Sequence, residues 1–136
     1  YKRENNEILF AIFLRDDMKV WQGICGGGEE NETILDTAKR EAFEEAGINY
    51  NSDYIQLDTT TTMPVVAITG KFSWGEDTFV VKEYCFGVNA KNQEIKLSDE
   101  HPEYRWLKYD EAHKMLKWDS DRTALWELNE RLKRDQ

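Results

Sequence analysis

The alternation of hydrophobic and polar residues predicts two strands near the start of the chain. Residues 8–14 (ILFAIFL) form an unbroken apolar run, long enough for a buried strand but far short of the roughly 20 residues that a membrane helix needs. Residues 20–24 form a second apolar segment, and the polar residues 15–17 between the two predict a turn. Three glycines at 26–28 then interrupt the strand pattern, because glycine permits backbone conformations that other residues avoid.

Residues 33–46 have the spacing of a helix and are rich in good helix formers. Gly47 predicts where this helix ends, since glycine is favoured just beyond a helix C-terminus. The apolar residues of the segment fall on one side of the predicted helix: Ile34, Leu35, Ala38, Ala42 and Ala46.

The middle of the chain is typical of β structure. Residues 54–62 are rich in threonine, residues 63–69 are apolar, and residues 78–88 form a long β-branched and aromatic run. Residues 70–77, between the last two, predict a loop.

Two further helices are predicted at the C-terminal end, over residues 110–118 and 120–134. The second carries an apolar stripe: Ala124, Leu125, Leu128 and Leu132. The order strand–strand–helix–strands–helices predicts an α/β fold in which helices pack on a mixed sheet. A length of 136 residues with 40% hydrophobic content predicts one domain, spanning residues 1–136.

The charge balance argues against nucleic acid as a partner. Acidic residues outnumber basic ones 27 to 18, for a net charge of −9, whereas nucleic-acid-binding proteins usually present a basic surface. An acidic protein can still bind an anionic small molecule if divalent cations lie between the two. Two cysteines without metal-site spacing, Cys25 and Cys85, indicate reduced thiols in a cytoplasmic protein, and no signal peptide or membrane span is visible.

Three glutamates on the predicted helix are the strongest candidates for chemistry. Glu41, Glu44 and Glu45 have the spacing i, i+3, i+4 and therefore share an arc of roughly 100° on one helix face. Like charges so close together repel, and a hard divalent cation with oxygen ligands, such as Mg²⁺, would relieve the repulsion. Taken alone, the triplet fits a solvated helix face as well.

The flanking residues decide between these interpretations. Gly26 is followed after five residues by Glu32, and after seven more by the sequence REAFEEAGI at 40–48. This spacing resembles the Nudix box, and every fixed position of that motif is matched over twenty-three residues, from 26 to 48. The resemblance implies an α/β Nudix fold in which a loop–helix–loop platform binds a metal ion and a diphosphate.

By the same resemblance, Glu41, Glu44 and Glu45 are expected to bind Mg²⁺, or Mn²⁺ in its place, with the Gly26 carbonyl completing the coordination. Arg40 is expected to orient Glu41 through a charge-assisted hydrogen bond.

Two other glutamates of the motif have expected roles of a different kind. Glu32 is expected to stabilise the motif, and Glu29 is a candidate for contact with the substrate at the metal site. Just upstream, residues 23–25 depart from the aromatic–Pro–Gly sequence common in the family. This departure leaves the ligands intact but puts borrowed substrate contacts in doubt.

The C-terminal part narrows the resemblance. LSDEH at 97–101, EYRWL at 103–107 and WDSDRTA at 118–124 are similar to the branch that contains dihydroneopterin triphosphate and dATP pyrophosphatases. In that branch a Glu directly before His is a further metal ligand or the general base, and Glu100 matches it. For His101 we expect a structural hydrogen bond rather than catalysis.

Aromatic residues outside the expected core are candidates for stacking on a base or pterin: Trp21, Phe72, Trp74 and Tyr84. We expect Trp21 and Trp74 to contact the substrate. Trp106, Trp118 and Trp126 are predicted to lie in the core, because they occur in elements with apolar periodicity.

The expected reaction is Mg²⁺-dependent hydrolysis of a triphosphate to a monophosphate and pyrophosphate, with Glu44 or Glu100 as general base. The alternatives are hydrolysis of dinucleoside polyphosphates or nucleotide sugars, a nucleotide-binding module without catalysis, and an isomerase. The oligomeric state stays open between monomer and homodimer.

Overall fold

The first sheet is built around one long central strand. A computed structural model describes residues 1–65, 75–99 and 101–135, and within them the first two strands are β1 (Lys2–Glu4) and β2 (Glu7–Arg15). β2 pairs antiparallel with β1, with β3 (Val20–Gln22) and, at its centre, with a strand from late in the chain, Tyr104–Leu107. The strand predicted at residues 8–14 is thus confirmed, and the structure places it at the centre of the sheet.

The remaining elements follow in chain order: helix α1 (Ile34–Ala46), strands β4 (Asp53–Pro64), β5 (Val80–Asn89) and β6 (Tyr104–Leu107), and helices α2 (Tyr109–Met115) and α3 (Asp119–Arg134). β4 and β5 form a separate antiparallel two-stranded sheet. The ladders in the described part of the chain are antiparallel, and an isolated bridge between Trp21 and Leu116 runs parallel.

Helices pack on both faces of the first sheet. On one face, Phe13 joins Ala42 and Ala46 of α1 in a buried cluster. On the other, Phe10 and Ile12 pack with α2 and α3, whose buried members are Ala112, Leu116, Leu125, Leu128 and Leu132. The alternation of side chains along β2 assigns the odd residues to α1 and the even ones to α2 and α3. The predicted α/β architecture is confirmed.

Strand boundaries differ from the prediction where tertiary contacts intervene. The strand predicted at 20–24 ends at Gln22, because the next N–H, of Gly23, donates 3.3 Å to the Asp121 carboxylate instead of continuing the ladder. β4 continues through residue 64, across the break predicted between 62 and 63. Most of the segment predicted at 63–69 and of the loop predicted at 70–77 falls within residues 66–74, outside the described residues.

A register shift in the β4–β5 ladder, between Gln56 and Thr60, is held by α3. Glu127 accepts hydrogen bonds from the backbone N–H groups of Asp58 and Thr59, at 2.7 and 2.8 Å, and from the Thr59 hydroxyl at 2.6 Å. The side chain of one helix residue therefore satisfies donors that the irregular ladder leaves unused.

The core prediction for Trp126 was wrong, because Trp126 is 53% exposed on α3. Ile34 and Leu35, on the apolar side of α1, are also exposed, at 40% and 37%. The helical periodicity assigned Trp126 to the buried face of α3, but Leu125, Leu128 and Leu132 already fill the contact between that helix and the sheets.

α2 ends at Met115, three residues before the predicted end, since Leu116 forms a bridge with Trp21 and the N–H of Lys117 donates to the Trp21 carbonyl.

Candidate functional site

Local sequence determines where α1 begins and ends. The Thr33 hydroxyl accepts from the N–H of Asp36 at 3.1 Å, and the Asp36 carboxylate accepts from the N–H of Thr33 at 3.3 Å, which forms a capping box. Gly47 adopts a left-handed conformation, with φ of 71°, and its N–H caps the carbonyls of Ala42 and Phe43. The two caps therefore define the ends of the helix that carries the candidate glutamates.

Arg40 connects this helix to the glycine-rich loop before it. Its guanidinium binds Glu32 through two hydrogen bonds, from Nε at 2.8 Å and from Nη2 at 3.1 Å. Nη2 also donates to the carbonyl of Gly27 at 2.7 Å. Glu32 in turn accepts from the N–H of Glu29 at 2.7 Å and from the Thr37 hydroxyl at 3.1 Å. The loop is thus held to the helix by a charged network.

The same guanidinium contacts two of the candidate metal ligands. Nη1 donates to Glu41 at 2.9 Å and to Glu44 at 3.2 Å, so the contact expected between Arg40 and Glu41 is present. Glu29 is 3.7 Å from Nη1 and largely exposed. One cation thereby faces four carboxylates, of which the strongest contact is the two-point one with Glu32. The hydrogen bonds from Arg40 hold the pKa of Glu32 down to about 2.

Gly26 lies directly against the carboxyl group of Glu41. A Cβ atom on residue 26 would stand 2.1 Å from the Glu41 carboxyl carbon and 2.3 and 2.4 Å from its two oxygens. Only a residue without a side chain permits this approach, which brings loop backbone and carboxylate to one point. Alanine at this position would therefore displace the Glu41 carboxyl group from its present position.

A second carboxyl group, that of Glu45, lies beside the carboxyl group of Glu41. Burial raises the pKa of Glu41, and the charge of Glu44 adds to the rise. The hydrogen bond and the positive charge of Arg40, and a hydrogen bond with Glu45, act in the opposite direction. Glu45 lies within hydrogen-bonding reach of Glu41 and is 5% exposed, whereas Glu44 remains half exposed. Two nearly buried carboxyl groups side by side favour either a shared proton or a cation.

His101 is the partner of Glu45. Its Nε2 lies 3.1 Å from Glu45 Oε1, and its Nδ1 lies 3.1 Å from the carbonyl oxygen of Leu14. The structural hydrogen bond expected of His101 is therefore present. Its partner on α1, however, was not predicted, because 56 residues separate the two along the chain and no local pattern connects them.

The structure does not bring every candidate together. Trp21 pairs with Leu14 and packs with the α2 and α3 cluster, on the face of the sheet opposite α1. The guanidinium of Arg105 lies 4.8 Å from the centre of the Trp21 ring. Trp21 thus lies on the opposite face from the helix that carries the glutamates, and its contact with the substrate stays a prediction. Glu100 and Trp74 lie outside the described residues.

The oxygen donors of this site are of the kind that a hard divalent cation prefers. Glu41, Glu44 and Glu45 supply carboxylate oxygens, and Gly26 brings loop backbone to the same point. Within the described ranges, no three acidic, histidine or cysteine side chains are already arranged as a metal cluster. Arg40 instead donates to Glu41 and Glu44, and His101 lies against Glu45, so metal binding would require Glu44 or Glu41 to turn away from Arg40.

Among the described residues, no helix has the length and apolar character required to cross a membrane.

Comparison with known proteins gives consistent matches. The family model described as the NUDIX domain matches residues 3–126. A protein of Listeria monocytogenes described as a NUDIX hydrolase has a similar crystal structure, with a TM-score of 0.88 and 38% identity, over 98% of this chain and 90% of that one.

Two curated relatives have named substrates. The asymmetrical bis(5'-nucleosyl)-tetraphosphatase of Sus scrofa is 32% identical over 93% of this chain and 82% of its own length. The dihydroneopterin triphosphate diphosphatase of Haemophilus influenzae is 24% identical, over 92% of this chain and 80% of its own.

Proposed function

The chain belongs to the NUDIX family and is a Nudix hydrolase, and from this premise we propose that it hydrolyses a phosphoanhydride bond of a nucleoside-triphosphate-like substrate. The proposed substrates are a deoxynucleoside triphosphate or dihydroneopterin triphosphate. A water molecule would attack a phosphorus atom and one P–O–P linkage would break, which gives a monophosphate and pyrophosphate.

The observation that carries the proposal is the position of Gly26 against Glu41, beneath a guanidinium that already contacts Glu41 and Glu44. A purely solvated helix face would not need a glycine in van der Waals contact with one of its carboxylates. The arrangement concentrates negative charge beside exposed backbone, which is a suitable place for a cation-bridged phosphate.

Glu41, Glu44 and Glu45 would hold Mg²⁺ or Mn²⁺ together with the Gly26 carbonyl, and Glu100 is proposed as a further ligand. When bound, such an ion offsets the charge of the phosphate oxygens and lowers the pKa of a coordinated water. Arg40 holds the loop and helix in register through Glu32, which fixes the distance between Gly26 and Glu41.

The general base is proposed to be Glu44 or Glu100. Glu44 is the more exposed of the helix glutamates, with 54% of its side chain accessible, so its carboxylate can reach solvent. A base must lie within hydrogen-bonding distance of the attacking water, and an accessible carboxylate meets that condition. Glu29, at the rim of the same network, is proposed to contact the substrate, as are Trp21 and Trp74.

A dinucleoside tetraphosphate is the second candidate substrate. The observation in its favour is the 32% identity with the tetraphosphatase of Sus scrofa. The products distinguish the two: asymmetrical hydrolysis of a tetraphosphate gives one mononucleotide and one nucleoside triphosphate, without pyrophosphate. The net charge of −9 supports a small-molecule substrate over nucleic acid in either case, and the free thiols Cys25 and Cys85 fit a reducing, cytoplasmic compartment.

The test is a substrate panel with separated products. Deoxynucleoside triphosphates, dihydroneopterin triphosphate, diadenosine tetraphosphate and nucleotide sugars are incubated with Mg²⁺, with Mn²⁺ or with EDTA, and products are resolved by chromatography. Glu41→Gln removes a proposed ligand, and Glu30→Gln, at an exposed glutamate of the loop before α1, is its matched control.

We expect metal-dependent pyrophosphate release from a triphosphate, lost in Glu41→Gln and retained in Glu30→Gln. If diadenosine tetraphosphate is the only compound cleaved, and it gives a mononucleotide and a nucleoside triphosphate, the substrate is a dinucleoside tetraphosphate. Nucleotide binding without turnover of any compound would overturn the proposal in favour of a non-catalytic module.

A further inference from the structure

His101 is a buried histidine that uses both of its ring nitrogens. The residue is 2% exposed, Nδ1 lies 3.1 Å from the Leu14 carbonyl oxygen, and Nε2 lies 3.1 Å from Glu45 Oε1. The Phe13 ring lies 5.5 Å away, centroid to centroid, and packs beside the imidazole. A histidine held at both nitrogens cannot rotate without losing two hydrogen bonds.

The Leu14 contact determines which nitrogen carries hydrogen. A carbonyl oxygen only accepts, so Nδ1 must bear the hydrogen and donate it to Leu14. Nε2 then lies within hydrogen-bonding distance of Glu45 Oε1, at 3.1 Å. The central strand β2 thereby sets the orientation of the ring, and the ring sets the position of the Glu45 carboxyl group.

The backbone around His101 is also attached to both elements. The N–H of Leu14 donates to the carbonyl of Glu103 at 2.9 Å, and the N–H of Ser98 donates to the carbonyl of Glu45 at 3.2 Å. The N–H of His101 itself donates to the carbonyl of Ser98 at 3.3 Å. Residues 98 and 103, which bracket Glu100 in sequence, are therefore held against α1 and β2.

From this geometry we infer that His101 is a positioning residue that holds the Glu45 carboxyl group in place for the divalent cation. The inference rests on the proposed function, in which Glu45 is a ligand. A glutamate side chain has three rotatable bonds, and a buried one without a fixed partner would distribute among rotamers and bind a cation less tightly. Partners that orient ligands in this way commonly change metal affinity about 10- to 100-fold.

Two amide substitutions separate the two hydrogen bonds. In His101→Asn the amide nitrogen occupies a place close to that of Nδ1, so the Leu14 contact is retained and the Glu45 contact is lost. In His101→Gln the amide nitrogen reaches a place close to that of Nε2, so the Glu45 contact is retained. Mn²⁺ affinity of each full-length variant is measured by electron paramagnetic resonance, together with kcat, KM and the thermal unfolding midpoint.

We expect His101→Asn to weaken Mn²⁺ binding about 10- to 100-fold and to lower kcat with little change in KM, and His101→Gln to remain within about threefold of the native protein. A merely structural histidine would lower the unfolding midpoint in both variants without this split. Equal Mn²⁺ affinity in His101→Asn and the native protein would overturn the inference.

Glu45→Gln distinguishes this failure from failure of the proposed site. If Glu45→Gln weakens Mn²⁺ binding but His101→Asn does not, the ligand assignment stands and the positioning role falls. If Glu45→Gln leaves Mn²⁺ binding unchanged, Glu45 is not a ligand and both fall. Should the variants not fold, Mn²⁺ is added to the native protein and nitrogen NMR follows the His101 ring: paramagnetic broadening of the ring signals, as expected beside a metal-bound Glu45, supports the inference, and unbroadened signals overturn it.

Discussion

Gly26 and Glu41 lie fifteen positions apart in the chain, yet the backbone of one contacts the carboxyl group of the other. A methyl group on residue 26 would stand 2.1 Å from the carboxyl carbon of Glu41, closer than any real contact. The Arg40 guanidinium holds this arrangement by binding Gly27 and Glu32 in the loop and Glu41 on the helix. The loop and the helix are therefore joined through the Arg40 side chain, and each contact can be tested separately.

Substitution of Gly26 by alanine should displace the Glu41 carboxyl group. We expect kcat to fall about 100-fold, because a displacement of roughly 1 Å in a reactive arrangement has that effect. The fold should persist, since Gly26 is exposed in a loop. Gly23→Ala is the matched control: the nearest atom to its Cβ would be an Asp121 carboxylate oxygen at 3.5 Å, an ordinary contact distance. Equal activity in the two variants would contradict this steric account.

Substitution of Arg40 by lysine should not be conservative. Lysine lacks the planar group that binds Glu32 at two points and also reaches Gly27. We expect the free energy of unfolding to fall by about 1.5–3 kcal/mol, as for the loss of a charged hydrogen bond. Arg134→Lys changes an exposed arginine in the last turn of α3 and should alter the free energy of unfolding by less than about 0.5 kcal/mol. Urea denaturation of both variants tests the difference, and similar losses would argue against the network.

Glu32 should make stability depend on acid pH. Its pKa is about 2 in the folded protein, against an ordinary value of 4.5, because Arg40 stabilises the carboxylate. The folded state therefore binds fewer protons than the unfolded state, and stability is fully present above pH 4.5 and is lost as the pH falls toward 2. Denaturation measured across this range should show a shallower pH slope for Glu32→Gln than for Glu30→Gln. Parallel curves would exclude the linkage.

Gly87 on β5 should couple to Leu128 on α3. An alanine Cβ at residue 87 would lie 2.5 Å from one Leu128 methyl carbon and 2.9 Å from the other. Gly87→Ala should destabilise by about 1–3 kcal/mol through overpacking, and Leu128→Ala by about 2–5 kcal/mol through a cavity. In the double variant the new methyl group occupies part of the cavity, so the combined loss should be smaller than the sum by at least about 0.5 kcal/mol. Strict additivity in urea denaturation would contradict the predicted contact.

The local sequence determined the helix that carries the glutamates. Its start at Thr33 and its end at Gly47 follow from capping, and the grouping of Glu41, Glu44 and Glu45 on one face follows from the helical period. Both depend on residues within one or two turns, which is why the pattern alone predicted them. The central strand β2 was predicted for a similar reason, because seven consecutive apolar residues satisfy both of its faces.

Only the tertiary structure decided which residues meet across long distances. The pairing of His101 with Glu45, the position of Trp21 on the face opposite α1, and the exposure of Trp126 depend on how sheet and helices pack. The periodicity of a sequence shows which face of a helix or strand is apolar, but it does not show which distant element covers that face. The sequence by itself thus determined the helix and its charges, and packing decided their partners, because a contact between distant residues depends on the positions of all the elements that hold them.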